Sequence, residues 1–90
     1  MQVLQKPTFQ RAYKKLHSNS RADVDAAIRV LMANPFIGEA KIGDLTGVRV
    51  HKFRMTKQLT LLAYSYEDDS ATLTLLALGA HENFYRDLKG

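Results

Sequence analysis

The hydrophobic pattern of this 90-residue chain switches from a helical to a strand period near its middle, and that change constrains the fold more than any other feature. From residue 9 to residue 32 the apolar positions recur as on helices; over 48–78 they alternate as on strands. Phe9, Ala12, Tyr13 and Leu16 fall at i, i+3, i+4 and i+7, the stripe of a short amphipathic helix over 8–17. Pro7 suits its first turn, and Thr8 is placed to help cap it. Val24, Ala27, Ile28, Leu31 and Met32 form a second stripe. Ser20 with Asp23 resembles a capping box at its start, and Asp25 adds favourable charge near the helix N-terminus. Asn34-Pro35 stops the helix. Two helices joined through the short polar break at 17–20 predict an antiparallel hairpin that buries one common face.

Residues 36–47 carry Gly38, Gly43 and Gly47 with little periodicity, and read as an extended connection. Three strands follow: 48–55, alternating and β-branched; 59–66, rich in Leu, Thr and Tyr; and 71–78, largely apolar. Thr56-Lys57-Gln58 and Glu67-Asp68-Asp69-Ser70 are connections of hairpin length, so the strands are expected to be antiparallel neighbours. Residues 2–5 alternate and predict a short edge strand closed by Pro7. Gly79 ends the last strand, and Phe84 with Leu88 at i, i+4 predicts a short helix against the sheet edge. The expected fold class is α+β. A short strand and a helix hairpin pack on an antiparallel meander with a C-terminal helix, all in a single domain over 1–90.

The chain has no cysteine, which excludes a disulfide scaffold, a thiolate nucleophile and Cys-based metal sites. With only three histidines, neither a structural metal nor a cofactor is expected. No stretch approaches the roughly 20 apolar residues of a membrane span, and residues 1–8 lack the apolar run of a signal peptide. A cytoplasmic domain without a membrane partner is therefore expected. Lys and Arg number 13 against 9 acids, and the excess is clustered. Lys6, Arg11, Lys14 and Lys15 stand in an acid-free stretch over 1–20, while Lys41, Arg49, Lys52, Arg54 and Lys57 face only Asp44 over 41–57. Such polarity suits a phosphate polymer or an acidic protein segment.

Several motifs in this order carry a family likeness. They are Gly43-Asp44-Leu45-Thr46-Gly47, the basic strand Val50-His51-Lys52-Phe53-Arg54, the strand Gln58-Leu59-Thr60-Leu61-Leu62-Ala63-Tyr64, and the tail from Leu76 through Gly79-Ala80-His81-Glu82-Asn83-Phe84-Tyr85-Arg86-Asp87-Leu88-Lys89. Together they resemble the RelE/ParE superfamily of toxins from bacterial type II toxin–antitoxin modules, across essentially the whole chain. The resemblance implies a cognate antitoxin that wraps the toxin in a hetero-oligomer. It also implies one of two activities. RelE-like members cleave mRNA, usually on the ribosome, whereas ParE-like members poison DNA gyrase.

Metal-free RNA cleavage needs a base for the 2′-OH, cations for the phosphorane and an acid for the leaving 5′ oxygen. The resemblance implies His81 as the proton-transfer group, Tyr85 as an assisting or stacking phenol, and Glu82 as an orienting or basic carboxylate. Lys52 and Arg54 alternate with Val50 on one strand face and suit a scissile phosphate, with His51 and Lys57 as further phosphate contacts. Parity sends His51 to the opposite face. The chain departs from the best-known ribosome-dependent pattern, which carries arginine near the second meander strand and another basic residue after the last strand. Here those places read Gln58-Leu59-Thr60 and Gly79-Ala80-His81. The tail histidine followed by an aromatic is closer to the histidine-using, YafQ- and HigB-like nuclease branch.

Overall fold

The computed structural model describes residues 1–80 together with Phe84, Tyr85 and Leu88. Strand β1 (Gln2–Gln5) leads into helix α1 (Pro7–Lys14) and helix α2 (Ser18–Ala33). Strand β2 (Glu39–Ala40) and a 3-10 turn (Gly43–Leu45) precede β3 (Arg49–Met55), β4 (Gln58–Glu67) and β5 (Thr72–Gly79). The strands make one five-stranded sheet in the order β1-β5-β4-β3-β2, and the α+β class stands.

The meander is antiparallel as expected, but two features enlarge the sheet. β1 pairs with β5 in parallel, Val3 opposite Leu73 and Gln5 opposite Leu75. The stretch expected to be a plain extended connection contributes β2, with Glu39 opposite Val50 and Ala40 opposite Arg49.

One face of the sheet carries the helices. Phe9, Val24, Ala27 and Leu31 pack there on Leu62, Tyr64, Leu73 and Leu75, each buried. Burying such side chains contributes about 1.5–3 kcal/mol apiece, which makes this layer the main source of stability. The Tyr13 hydroxyl donates to Asp25 Oδ1 at 2.8 Å, tying α1 to α2, and this bond is the first cause of a raised phenol pKa. Because α2 begins at Ser18, Asp25 lies two turns in and serves as a tertiary partner rather than as a charge at the helix start.

A second, smaller core lies on the other face. Val50, Leu61, Ala63, Ala77 and Phe84 are buried in it. A register shift makes this possible. Ala63 faces Ala77 while Tyr64 faces Leu75, so Leu76 is the extra residue of a bulge, and β5 feeds Leu75 to the helix side but Leu76 and Ala77 to the other. Phe84 therefore seats on the sheet's face rather than against its edge.

Two local expectations are corrected. Thr8 lies inside α1, whose N-cap is Lys6 without a side-chain cap, and Thr8 Oγ1 accepts from Arg11 instead. Ser20 and Asp23 do not cap α2, which already begins at Ser18. Both side chains reach across to Thr56. Ser20 Oγ lies 3.4 Å from Thr56 Oγ1, and Asp23 Oδ2 accepts the Thr56 N–H at 2.7 Å. The same residue types that cap helices are equally good partners for a distant turn.

Candidate functional site

The sheet face without helices is only partly closed. On β3, alternation sends Val50, Lys52 and Arg54 to this face and Phe53 and Met55 to the helix side. Lys52 sits opposite Leu61 and Arg54 opposite Leu59. Leu61 in turn sits opposite Gly79. Lys52, Leu61 and Gly79 thus form one row across three strands, spanning about 10 Å between the outer backbones. Lys52 and Arg54 are exposed, and Leu59 beside them keeps 44% of its surface. Phe84 closes the neighbouring part of the face, down to 1% exposure.

Tyr85 packs half-buried against the smaller core of this face. Its ring stands edge-on to Phe84, with centroids 5.2 Å apart and planes at 85°. Lys41 Nζ lies 5.4 Å from the centre of the Tyr85 ring and 3.3 Å from Glu39 Oε2. A hydrogen bond with Tyr85, followed by the Glu39 carboxylate, raises the Lys41 pKa against the opposing effect of burial.

The β3–β4 turn positions the cations from below. Thr56 and Lys57 have φ of +46° and +71°, the left-handed pair of a two-residue hairpin usually built from Asn-Gly. Asp23 holds the Thr56 N–H from α2, and the Lys57 carbonyl accepts from Arg54 Nη1 at 3.4 Å. Lys57 itself is exposed at the tip.

His51 stands apart from this group. It faces the helix side, half-buried, with its ring 6.1 Å from Phe53 and nearly parallel to it at 7°. Burial lowers its pKa. The structure brings Lys52, Arg54 and Leu59 together on one open surface and does not bring His51 to them. His81 and Glu82 lie outside the described residues. Among the described residues, no group of three or more His, Asp or Glu side chains is placed to hold a metal. No helix among them is long and apolar enough to cross a membrane.

Sequence reasoning missed Lys41 as a neighbour of Tyr85. Its only signal was spacing: Glu39 and Lys41 at i, i+2 share a face once the segment is extended.

Helices backing one face of a five-stranded sheet make a fold that this chain shares with known small toxins. The family model for the ParE-like toxin of type II bacterial toxin–antitoxin systems matches residues 3–89, and the chain belongs to that family, within the RelE/ParE superfamily. Solved structures share the fold. A chain of the intact E. coli RelBE toxin–antitoxin complex is similar with a TM-score of 0.72 at 16% identity, over 90% of this chain and 96% of that one. The YoeB/ParE toxin from Agrobacterium tumefaciens gives 0.74 at 18%, over 90% and 99%. A chain of the RelBE2 complex from Mycobacterium tuberculosis gives 0.71 at 22%, over 89% and 96%. No curated protein sequence matches the chain.

Proposed function

We propose that this toxin is a metal-independent endoribonuclease acting on mRNA at the ribosome. The observation that carries the reading is the pair Lys52 and Arg54, exposed together on the open sheet face, with Lys52 in the row that ends at Gly79. Two cations at alternate strand positions suit a phosphodiester, where charge develops on the non-bridging oxygens during displacement. In the reaction the 2′ oxygen forms a bond to phosphorus and the bond from phosphorus to the 5′ oxygen breaks. His81, two residues beyond Gly79 in sequence, takes the 2′-OH proton and returns one to the leaving oxygen. The products are a 2′,3′-cyclic phosphate and a 5′-OH end. Glu82 orients His81, Tyr85 supplies a phenol and a stacking surface, and Lys57 meets the flanking backbone.

The partner is a cognate antitoxin, in line with the toxin–antitoxin complexes among the similar structures. Large apolar side chains at the surface, Phe36 at 53%, Ile37 at 49% and Ile42 at 89%, are the kind of surface such a partner covers. The site of action is the cytoplasm.

The ParE-like description of the matched family favours a second reading, inhibition of DNA gyrase without RNA cleavage. Mapping transcript 5′ ends after brief induction, with and without translation, separates the two. New internal 5′-OH ends that depend on translation support the nuclease. Intact transcripts with an induced DNA-damage response overturn it in favour of gyrase.

A further inference from the structure

Lys41 has no role in the reaction above, yet its surroundings are those of a binding residue. Its N–H donates to the Val48 carbonyl at 2.9 Å, continuing the register in which Glu39 faces Val50. Glu39 and Lys41 therefore project on the same sheet face as Val50, Lys52 and Arg54. The Lys41 side chain is only 21% exposed, whereas that of Glu39 is 63% exposed. Covering most of a lysine is unfavourable unless something replaces the lost water, and here the Tyr85 ring and the Glu39 carboxylate do so. The Tyr85 phenol and then the Glu39 carboxylate raise its pKa against the opposing effect of burial. The Glu39 partner lies mostly in water, so the pair adds little and is readily exchanged.

We infer that Lys41 is a third phosphate-binding cation of this face, held against the Tyr85 ring and parked on Glu39 until an RNA phosphate displaces that carboxylate. The inference rests on the nuclease reading and names one of its RNA contacts. A lysine that merely glued the β2 edge to Tyr85 would carry the same apolar contacts but would release no counterion when RNA binds.

The test is equilibrium binding of the full chain to a single-stranded, fully 2′-O-methylated RNA oligonucleotide, which binds without offering a nucleophile. Affinity is followed between about 50 and 200 mM salt. Lys41→Ala is expected to reduce the slope of log affinity against log salt by about 0.7, the contribution of one phosphate contact on a single strand. Lys41→Arg is expected to keep the slope, and Glu39→Gln to tighten binding at low salt. Should Lys41→Ala fail to fold, Glu39→Gln decides alone, because that exposed substitution leaves the core untouched. An unchanged slope in Lys41→Ala, or unchanged affinity in Glu39→Gln, overturns the inference while Lys52→Ala still lowers the slope. If Lys52→Ala and Arg54→Ala also leave the slope unchanged, or the unaltered chain binds no RNA, the nuclease reading falls and the inference with it.

Discussion

The Tyr64 hydroxyl and the Gly38 backbone fit each other so closely that neither position tolerates an added or missing group. The Tyr64 oxygen accepts the Gly38 N–H at 2.9 Å and donates to the Pro35 carbonyl at 2.7 Å. A β-carbon on Gly38 would lie 2.6 Å from that same oxygen. Arg49 closes the arrangement, donating to the Phe36 and Gly38 carbonyls at 3.1 and 2.8 Å. The chain leaving α2 is thereby pinned to the sheet centre and delivered to β2. Tyr64→Phe strips partners from a buried N–H and a carbonyl and is expected to cost about 1–3 kcal/mol. Gly38→Ala is also destabilising, but in the Tyr64→Phe background its cost shrinks because the nearest clashing atom is gone. Urea midpoints of the two single variants and the double variant check the non-additivity.

The Asp23 carboxylate holding the Thr56 N–H explains how a β-branched residue tolerates a φ of +46°. Asp23→Ala is expected to lose about 1–2 kcal/mol, an ionic hydrogen bond discounted for its exposure. Replacing the turn with Thr56→Asn and Lys57→Gly relieves left-handed strain and is expected to gain about 1 kcal/mol. In that background Asp23→Ala costs less. Thermal melts of the four proteins measure both effects.

Stability has an acid limb set by His51. Burial depresses its folded-state pKa below the ordinary value of 6.5. Above that value the imidazole is neutral in both states and the contribution is fully present. As the pH falls below it, the unfolded chain binds the proton first, and stability is lost down through the folded pKa. His51→Phe keeps the stack on Phe53 and is expected to flatten the melting temperature between about pH 7 and pH 5. An equally steep limb in that variant rejects the assignment.

Catalysis is expected to separate His81 from His51. His81→Ala lowers cleavage by about 10²–10⁴-fold and restores growth of cells expressing the toxin alone. His51→Ala leaves cleavage near that of the unaltered chain, since its ring faces the helix side with Phe53. Parallel mapping of transcript ends in both variants gives the comparison.

The helices were legible because Phe9, Val24, Ala27 and Leu31 repeat with the helical period and all become core. The meander was legible from alternation and turn length. The parallel seat of β1 on β5 was not, because four alternating residues fit either strand direction, and the choice is made by α1 packing back on β5. β2 left no trace, since two residues cannot display a period. Ser20 and Asp23 misled through chemistry shared by caps and turns. At the site, parity alone assigned Lys52 and Arg54 to one face and His51 to the other. Lys41 escaped because its distant partner Tyr85 comes beside it only in the folded chain, while Glu39 alone is an ordinary neighbouring charge.

The pairing of Gln2–Gln5 with Thr72–Gly79 has a consequence for how the toxin is made. The first strand cannot close until nearly eighty residues have cleared the exit tunnel, so most of the nascent chain waits with its edge unsatisfied. Closure of the full five-stranded sheet is thereby deferred to the last stage of synthesis.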